Sequence, residues 1–233
     1  MVTGWCGGSR LTAAMTTRSG DWLVAGGFVH IDASLTDQAE DVIDSLLLAQ
    51  LMADRQASRF TAPTAWVQAF ESVLSNIGWI IDQRDTGRSS ADQHPAGPGD
   101  VVPLDTIASR LQTVLTPEQV VALRSAVAGL ATAAEPVADW WRRQTLAGDT
   151  ASSTICFAAQ VQRAPWLAVN CTALTAPAAV TGYPWTGVPA DGVEFTVSQA
   201  TAVVNEAVFS SVRAGIRTKV APVRESHVLG VNA

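Results

Sequence analysis

The segment Thr154–Leu174, TICFAAQVQRAPWLAVNCTAL, decides the fold. It carries one charge, Arg163, and is otherwise built of small, β-branched and apolar residues. Its period is two: Leu167, Val169, Cys171 and Ala173 fall on one face. That pattern predicts two strands, Thr154–Val161 and Trp166–Leu174, turning around Arg163-Ala164. A tight turn at that point sets Cys156 opposite Cys171, with Cβ atoms about 4.5–5.5 Å apart. Three readings of such a pair stay open: a strained redox couple, two small apolar core residues, or a thiol available for acylation. A slip of one residue would remove the pairing.

Moving towards the C-terminus, Ala164 to Ala190 contains no charge. A helix of that length can cross a bilayer. Pro165, Pro177, Pro184 and Pro189 exclude it, because each removes a donor and clashes within a helix. The stretch reads as a strand followed by a long apolar loop, a surface suited to a partner. Val193, Phe195 and Val197 alternate with Glu194, Thr196 and Ser198 as a third strand. Asn205 to about Lys219 predicts a helix, and His227–Val231 a last short strand.

Towards the N-terminus the period becomes helical. Pro136 restarts a helix that closes on Asp139-Trp140-Trp141-Arg142-Arg143. The adjacent tryptophans predict either one core and one surface residue or an interfacial anchor. Before them, Thr116-Pro117-Glu118-Gln119 signals a helix start, with a Thr cap, Pro at the first position and Gln in the capping-box position. Leu104–Leu115 carries its own apolar stripe, so two helices form a pair here. Arg84–Val102 is rich in Gly, Pro and Ser and reads as a polar loop.

A first helical pair precedes that loop. Thr36–Ser58 is apolar around nearly its whole circumference, which places it in the core or against lipid or a partner. Asp41 and Asp44, three apart, read as the wet edge of an N-terminal turn. The second helix has Pro63 in its first turn, buries Trp66, Phe70 and Leu74, and stops at Gly78. A short strand, Trp79-Ile80-Ile81, follows. Asp21–Asp32 is a strand with a bulge or bend at Gly26-Gly27. Residues 1–20 read as a flexible arm, and residues 21–233 as one domain.

The expected architecture is α+β: a central antiparallel sheet flanked by two helical hairpins. Composition narrows function by exclusion. The 233 residues are 48% hydrophobic and 15% charged, with net charge -6. Nucleic-acid binding needs clustered positive charge, so no such partner is expected. No nucleophile elbow, zinc helix, phosphate loop or dinucleotide fingerprint occurs, so no catalytic residue, metal or cofactor is assigned. His30, His94 and His227 have no recurring partners, and nothing in the spacing of Cys171 and His227 supports a nucleophile pair. Three cysteines without a CxxC point to a reducing compartment or to secretion without a classical signal peptide.

The segments Asp44–Arg59, Phe70–Arg84 and Asn205–Val220 resemble bacterial proteins related to the Evf virulence factor. The C-terminal half, a helix ending in Trp140-Trp141 and then three strands, resembles the Cyt-type cytolytic δ-endotoxin fold. That resemblance implies a non-enzymatic, toxin-like protein that meets a lipid or membrane surface. It also makes Cys156 and Cys171 the candidates for acylation or lipid contact. Trp140, Trp141 and Trp185, beside the charge-free stretch, are the candidates for membrane or partner contact. The competing expectation is a structural module forming a homo-oligomer or part of a larger assembly.

Overall fold

A computed structural model describes residues 19–90, 110–181 and 193–231. Its frame is one mixed sheet in the order β3-β7-β6-β5-β2-β1-β8. In chain order the strands are β1 (Gly20–Val24), β2 (Gly27–Ile31), β3 (Trp79–Ser90), β4 (Leu146–Ala147), β5 (Thr150–Val161), β6 (Ala164–Thr175), β7 (Glu194–Val204) and β8 (Val228–Gly230). The two-residue β4 pairs with the start of β5, off the main path. Every pairing is antiparallel except β2 with β5. Between those two strands the chain travels through helices and returns in the same direction, as a parallel pair requires.

The helices are α1 (Ala39–Asp54), α2 (Pro63–Asn76), α3 (Pro117–Ala131), α4 (Glu135–Thr145) and α5 (Glu206–His227). A 3₁₀ turn, Ala33–Gln38, leads into α1 and is capped by the Asp32 carboxylate, which accepts from the Ser34 amide. Alternation along the strands gives the sheet two apolar faces, and each takes a helical layer. On one face α1, α2 and α5 pack against Val29, Cys156, Leu167 and Val169. On the other, α3 and α4 pack with Leu111 and Leu115 against Phe28, Ile155, Phe157 and Leu174. The sheet is therefore the middle of three layers, which explains why its central strands hold so little charge.

Several expectations change. Asp21–Asp32 is a hairpin rather than one bent strand: Val24 pairs with Gly27, and Ala25 turns the chain at φ +48°. The short strand at Trp79 continues to Ser90, so Arg84–Ser90, read as the start of a polar loop, is an edge strand paired with β7. Its polar sequence suits an edge, where half of the backbone faces water. The remainder of that loop, with His94, lies outside the described residues, as does the first half of the helix read at Leu104–Leu115. Of the arm at 1–20, residues 1–18 also lie outside; Gly20 already belongs to β1. Thr116 and Gln119 form the reciprocal capping box expected of them.

The central hairpin turns one residue earlier than expected. Val161 pairs with Ala164, leaving Gln162 and Arg163 as the loop, at φ +51° and +70°. Two positive φ values in a two-residue loop match the right-handed twist of the strands. The shift moves Cys156 opposite Val169 and Cys171 opposite Thr154. The cysteines therefore share a face as diagonal neighbours, not as a facing pair. Both are free thiols.

Candidate functional site

On the α2 side of the sheet lies a cleft of about 280 Å³. Its floor is made by Ser152 on β5, Cys171 and Ala173 on β6, and Thr196 and Ser198 on β7. All five are small, so α2 cannot close onto the strands there, and space remains. Farther along the same face the residues enlarge to Leu167 and Val169, and the layers meet. The cleft is thus written into the alternation of three strands, one end small and the other branched.

Its walls carry the ionic groups. Arg59, just after α1, is almost fully buried. Its Nε donates to Asp54 Oδ1 at 2.9 Å and its Nη2 to Asp54 Oδ2 at 2.5 Å. Trp66 Nε1 donates to the same carboxylate at 2.7 Å, and the guanidinium lies 4.8 Å from the Trp66 ring centre. Phe70 stacks with Trp66, with centroids 5.3 Å apart. Room for Arg59 comes from Gly26: a Cβ there would land on the guanidinium. Facing it across the cleft, Glu71 on α2 meets Arg84 on β3 at 2.8 Å. Burial raises the Glu71 pKa above the usual glutamate value, and the Arg84 charge opposes that rise.

Cys171 forms part of the floor with 7% of its surface exposed, whereas Cys156 is 1% exposed and does not reach the cleft. Burial pushes the Cys171 thiol up to about 12, although the Thr154 hydroxyl, 3.7 Å away, partly offsets this. Cys156 is raised well above the normal thiol value, first by burial and then by neighbouring Cys171. Both shifts disfavour the thiolate, which is the nucleophilic form of a cysteine. His227 ends α5, just before β8, which lies four strands from β6 in the sheet order. Its Nδ1 lies 3.0 Å from the Val223 carbonyl and 2.9 Å from Ser226 Oγ. His30 Nδ1 sits 2.7 Å from Asp21 Oδ1. No group of three or more metal-ligating side chains occurs among the described residues.

The tryptophans separate. Trp141 is fully buried among the α3–α4 core residues, so it presents no surface to a membrane or partner while that layer is packed. The cause is the helix period: α4 turns Ala138 and Trp141 inward together, three residues apart. Trp140, next to it, is half-buried, and its Nε1 donates to the Ser226 carbonyl at the end of α5 at 3.4 Å. Trp185 lies outside the described residues.

A second constellation ties α1 to α5. Asp41 accepts from Arg213 and from Arg217, each at 3.0 Å, and is buried. Asp44 is more deeply buried; its Oδ1 lies 3.2 Å from Arg224 Nε without hydrogen-bond geometry. These carboxylates are therefore not the wet edge of a turn. They sit beneath α5, which supplies three arginines at helical spacing over them. Sequence reasoning missed this ladder, and it missed Arg59, Glu71 and Arg84. The signal for Glu71 was available: it lies on the same stripe as Val67, Phe70 and Leu74.

No family model and no curated protein matches the chain. Among solved structures, its fold is similar to that of a delta-endotoxin, with 9% identity and a TM-score of 0.45, over 88% of this chain and 91% of the other. It is also similar to the Evf virulence factor, with 10% identity and a TM-score of 0.36, over 90% of this chain and 85% of that one. The likeness is one of fold, and these structural neighbours are a toxin and a virulence factor.

Proposed function

We propose that this protein acts on lipid membranes without catalysis, as a toxin-like protein whose central strands enter the bilayer. The observation that carries the reading is the β5–β6–β7 meander. These three adjacent antiparallel strands of 12, 12 and 11 residues contain a single charged residue, Glu194. A strand needs about 9–11 residues to cross a bilayer when tilted. No single described helix is long and apolar enough to span, although α3 and α4 pass that test together as a bent pair. An open sheet cannot lie in hydrocarbon with unpaired edges, so entry requires several copies closing into a barrel.

In this reading Cys156 and Cys171 are lipid-embedded side chains carried in with their strands, not attachment sites. Their raised pKa values disfavour the thiolate that acyl transfer needs. Dye release from liposomes of zwitterionic and of anionic lipid tests the reading. Leakage at micromolar protein is expected, and neither binding nor leakage with either composition would sink it. Intact mass spectrometry of protein from its native host is expected to show no added acyl mass. An acyl adduct would move the cysteines from embedded residues to attachment sites.

A further inference from the structure

We infer that the cleft beneath α2 is a binding site for a single neutral sugar ring. Four polar side chains facing it make no side-chain hydrogen bond within the described residues: Thr64 and Gln68 on α2, Ser152 on β5 and Thr196 on β7. Three are hydroxyls, which both donate and accept, and the amide of Gln68 does the same. A polyol, each of whose hydroxyls also donates and accepts, can pair with all four whichever way each is turned.

The charges point the same way. Arg59 is held by Asp54, and Arg84 by Glu71, so each wall is neutral. No uncompensated charge remains to select phosphate, carboxylate or ammonium. Pro63 and Val67 add an apolar wall beside the hydroxyls, suited to the C–H face of a sugar ring. The volume, about 280 Å³, falls below the roughly 300–1,000 Å³ of drug-sized sites and limits the occupant to one ring. The shared chemistry is that of a free monosaccharide or of the terminal sugar of a glycolipid.

Saturation-transfer NMR on the full chain tests this with the methyl glycosides of glucose, galactose, mannose and N-acetylglucosamine, each at millimolar concentration. Inorganic phosphate and sialic acid serve as charged probes in competition. Transfer to ring protons of at least one neutral glycoside is expected, undiminished by either charged probe. Ala173→Leu fills the floor and should abolish the signal. Thr196→Val keeps the shape, removes one hydroxyl and should weaken binding about two- to tenfold, the worth of one hydrogen bond. Silence from all four glycosides, displacement by phosphate, or full binding by a folded Ala173→Leu protein would overturn the inference. Vesicles of phosphatidylcholine with and without a glycolipid bearing the bound sugar separate the two sources. Leakage of glycolipid-free vesicles depends only on the membrane reading, so either proposal can fail without the other.

Discussion

At the level of single residues, the most telling atoms are the two carboxylates beneath α5. Asp41 accepts two charge-assisted hydrogen bonds from arginines that are themselves partly exposed, at 28% and 51%. Removing a group that accepts such bonds costs about 1.5–3 kcal/mol each, and the exposure of the arginines places the total for Asp41→Ala at about 2–3 kcal/mol. Urea unfolding measures it; a loss under about 0.5 kcal/mol would mean that the ladder is a surface ornament. Asp44 behaves differently. Burial raises its folded-state pKa above the usual aspartate value, outweighing Arg224. Between the unfolded and folded values the native chain holds a proton that the unfolded chain has released. The stability contributed by Asp44 is therefore fully present below the unfolded value and declines as pH rises through the folded one. Asp44→Asn removes that term. Urea midpoints compared from about pH 3 to 7 should show the variant declining less steeply than the native protein. Identical slopes would show that Asp44 is not strained by burial. None of this was legible locally: Asp41 sits in the first turn of α1 and Asp44 in the next, near the helix start where a carboxylate is ordinarily solvated and favoured by the dipole. Only the return of α5, some 170 residues later in sequence, covers them.

Among the elements, the strands and helix starts were read from local rules and the turns were not. The Thr116 cap, Pro63 and the alternation in β5 and β6 are determined by a few neighbouring residues, and each appears where expected. The central turn was misplaced by one residue because Gln162-Arg163 has none of the Gly or Asn that announces positive φ. The twist of the two long strands imposes the turn on residues that do not favour it. That is a local conflict with a correctable cost. Replacing Gln162-Arg163 by Asn-Gly should raise stability by about 1 kcal/mol, since non-glycine residues in the left-handed region cost about 1–2 kcal/mol each and the strands already fix the register. Thermal or urea unfolding of the double variant gives the value. No gain would mean that the loop geometry is held by contacts of Gln162 or Arg163 themselves. The β3 edge failed for the opposite reason. Arg84–Ser90 has loop composition, and only its ladder with β7 makes it a strand. The cleft follows from both kinds of element: small residues on β5, β6 and β7 were visible in the sequence, but their alignment under α2 depends on register.

For the whole molecule, the three-layer arrangement makes a definite demand on any membrane mechanism. The meander is covered on one face by α1, α2 and α5 and on the other by α3 and α4, so at least one layer must leave before strand residues reach lipid. The layers differ in how they are held. α1 is buried nearly all round and is further tied to α5 by the arginine ladder. The α3–α4 layer bends by 102° at its break; Arg142 pairs with Glu135 and Asp139 within α4 itself, and Trp140 donates to the Ser226 carbonyl of α5. Its contact with Phe28, Ile155, Phe157 and Leu174 on the sheet is apolar, and contact of that kind is non-directional and can be exchanged for lipid at little cost. The α3–α4 layer should therefore open first. Hydrogen exchange with and without leaking liposomes reads this directly. Amides of Pro117–Ala131 and Glu135–Thr145 should lose protection on contact with vesicles, while those of β5, β6 and α1 keep theirs. Earlier loss from α1 and α5 would reverse the order of opening. Unchanged protection throughout, in a sample that leaks, would exclude insertion of the meander and leave disruption by the intact surface.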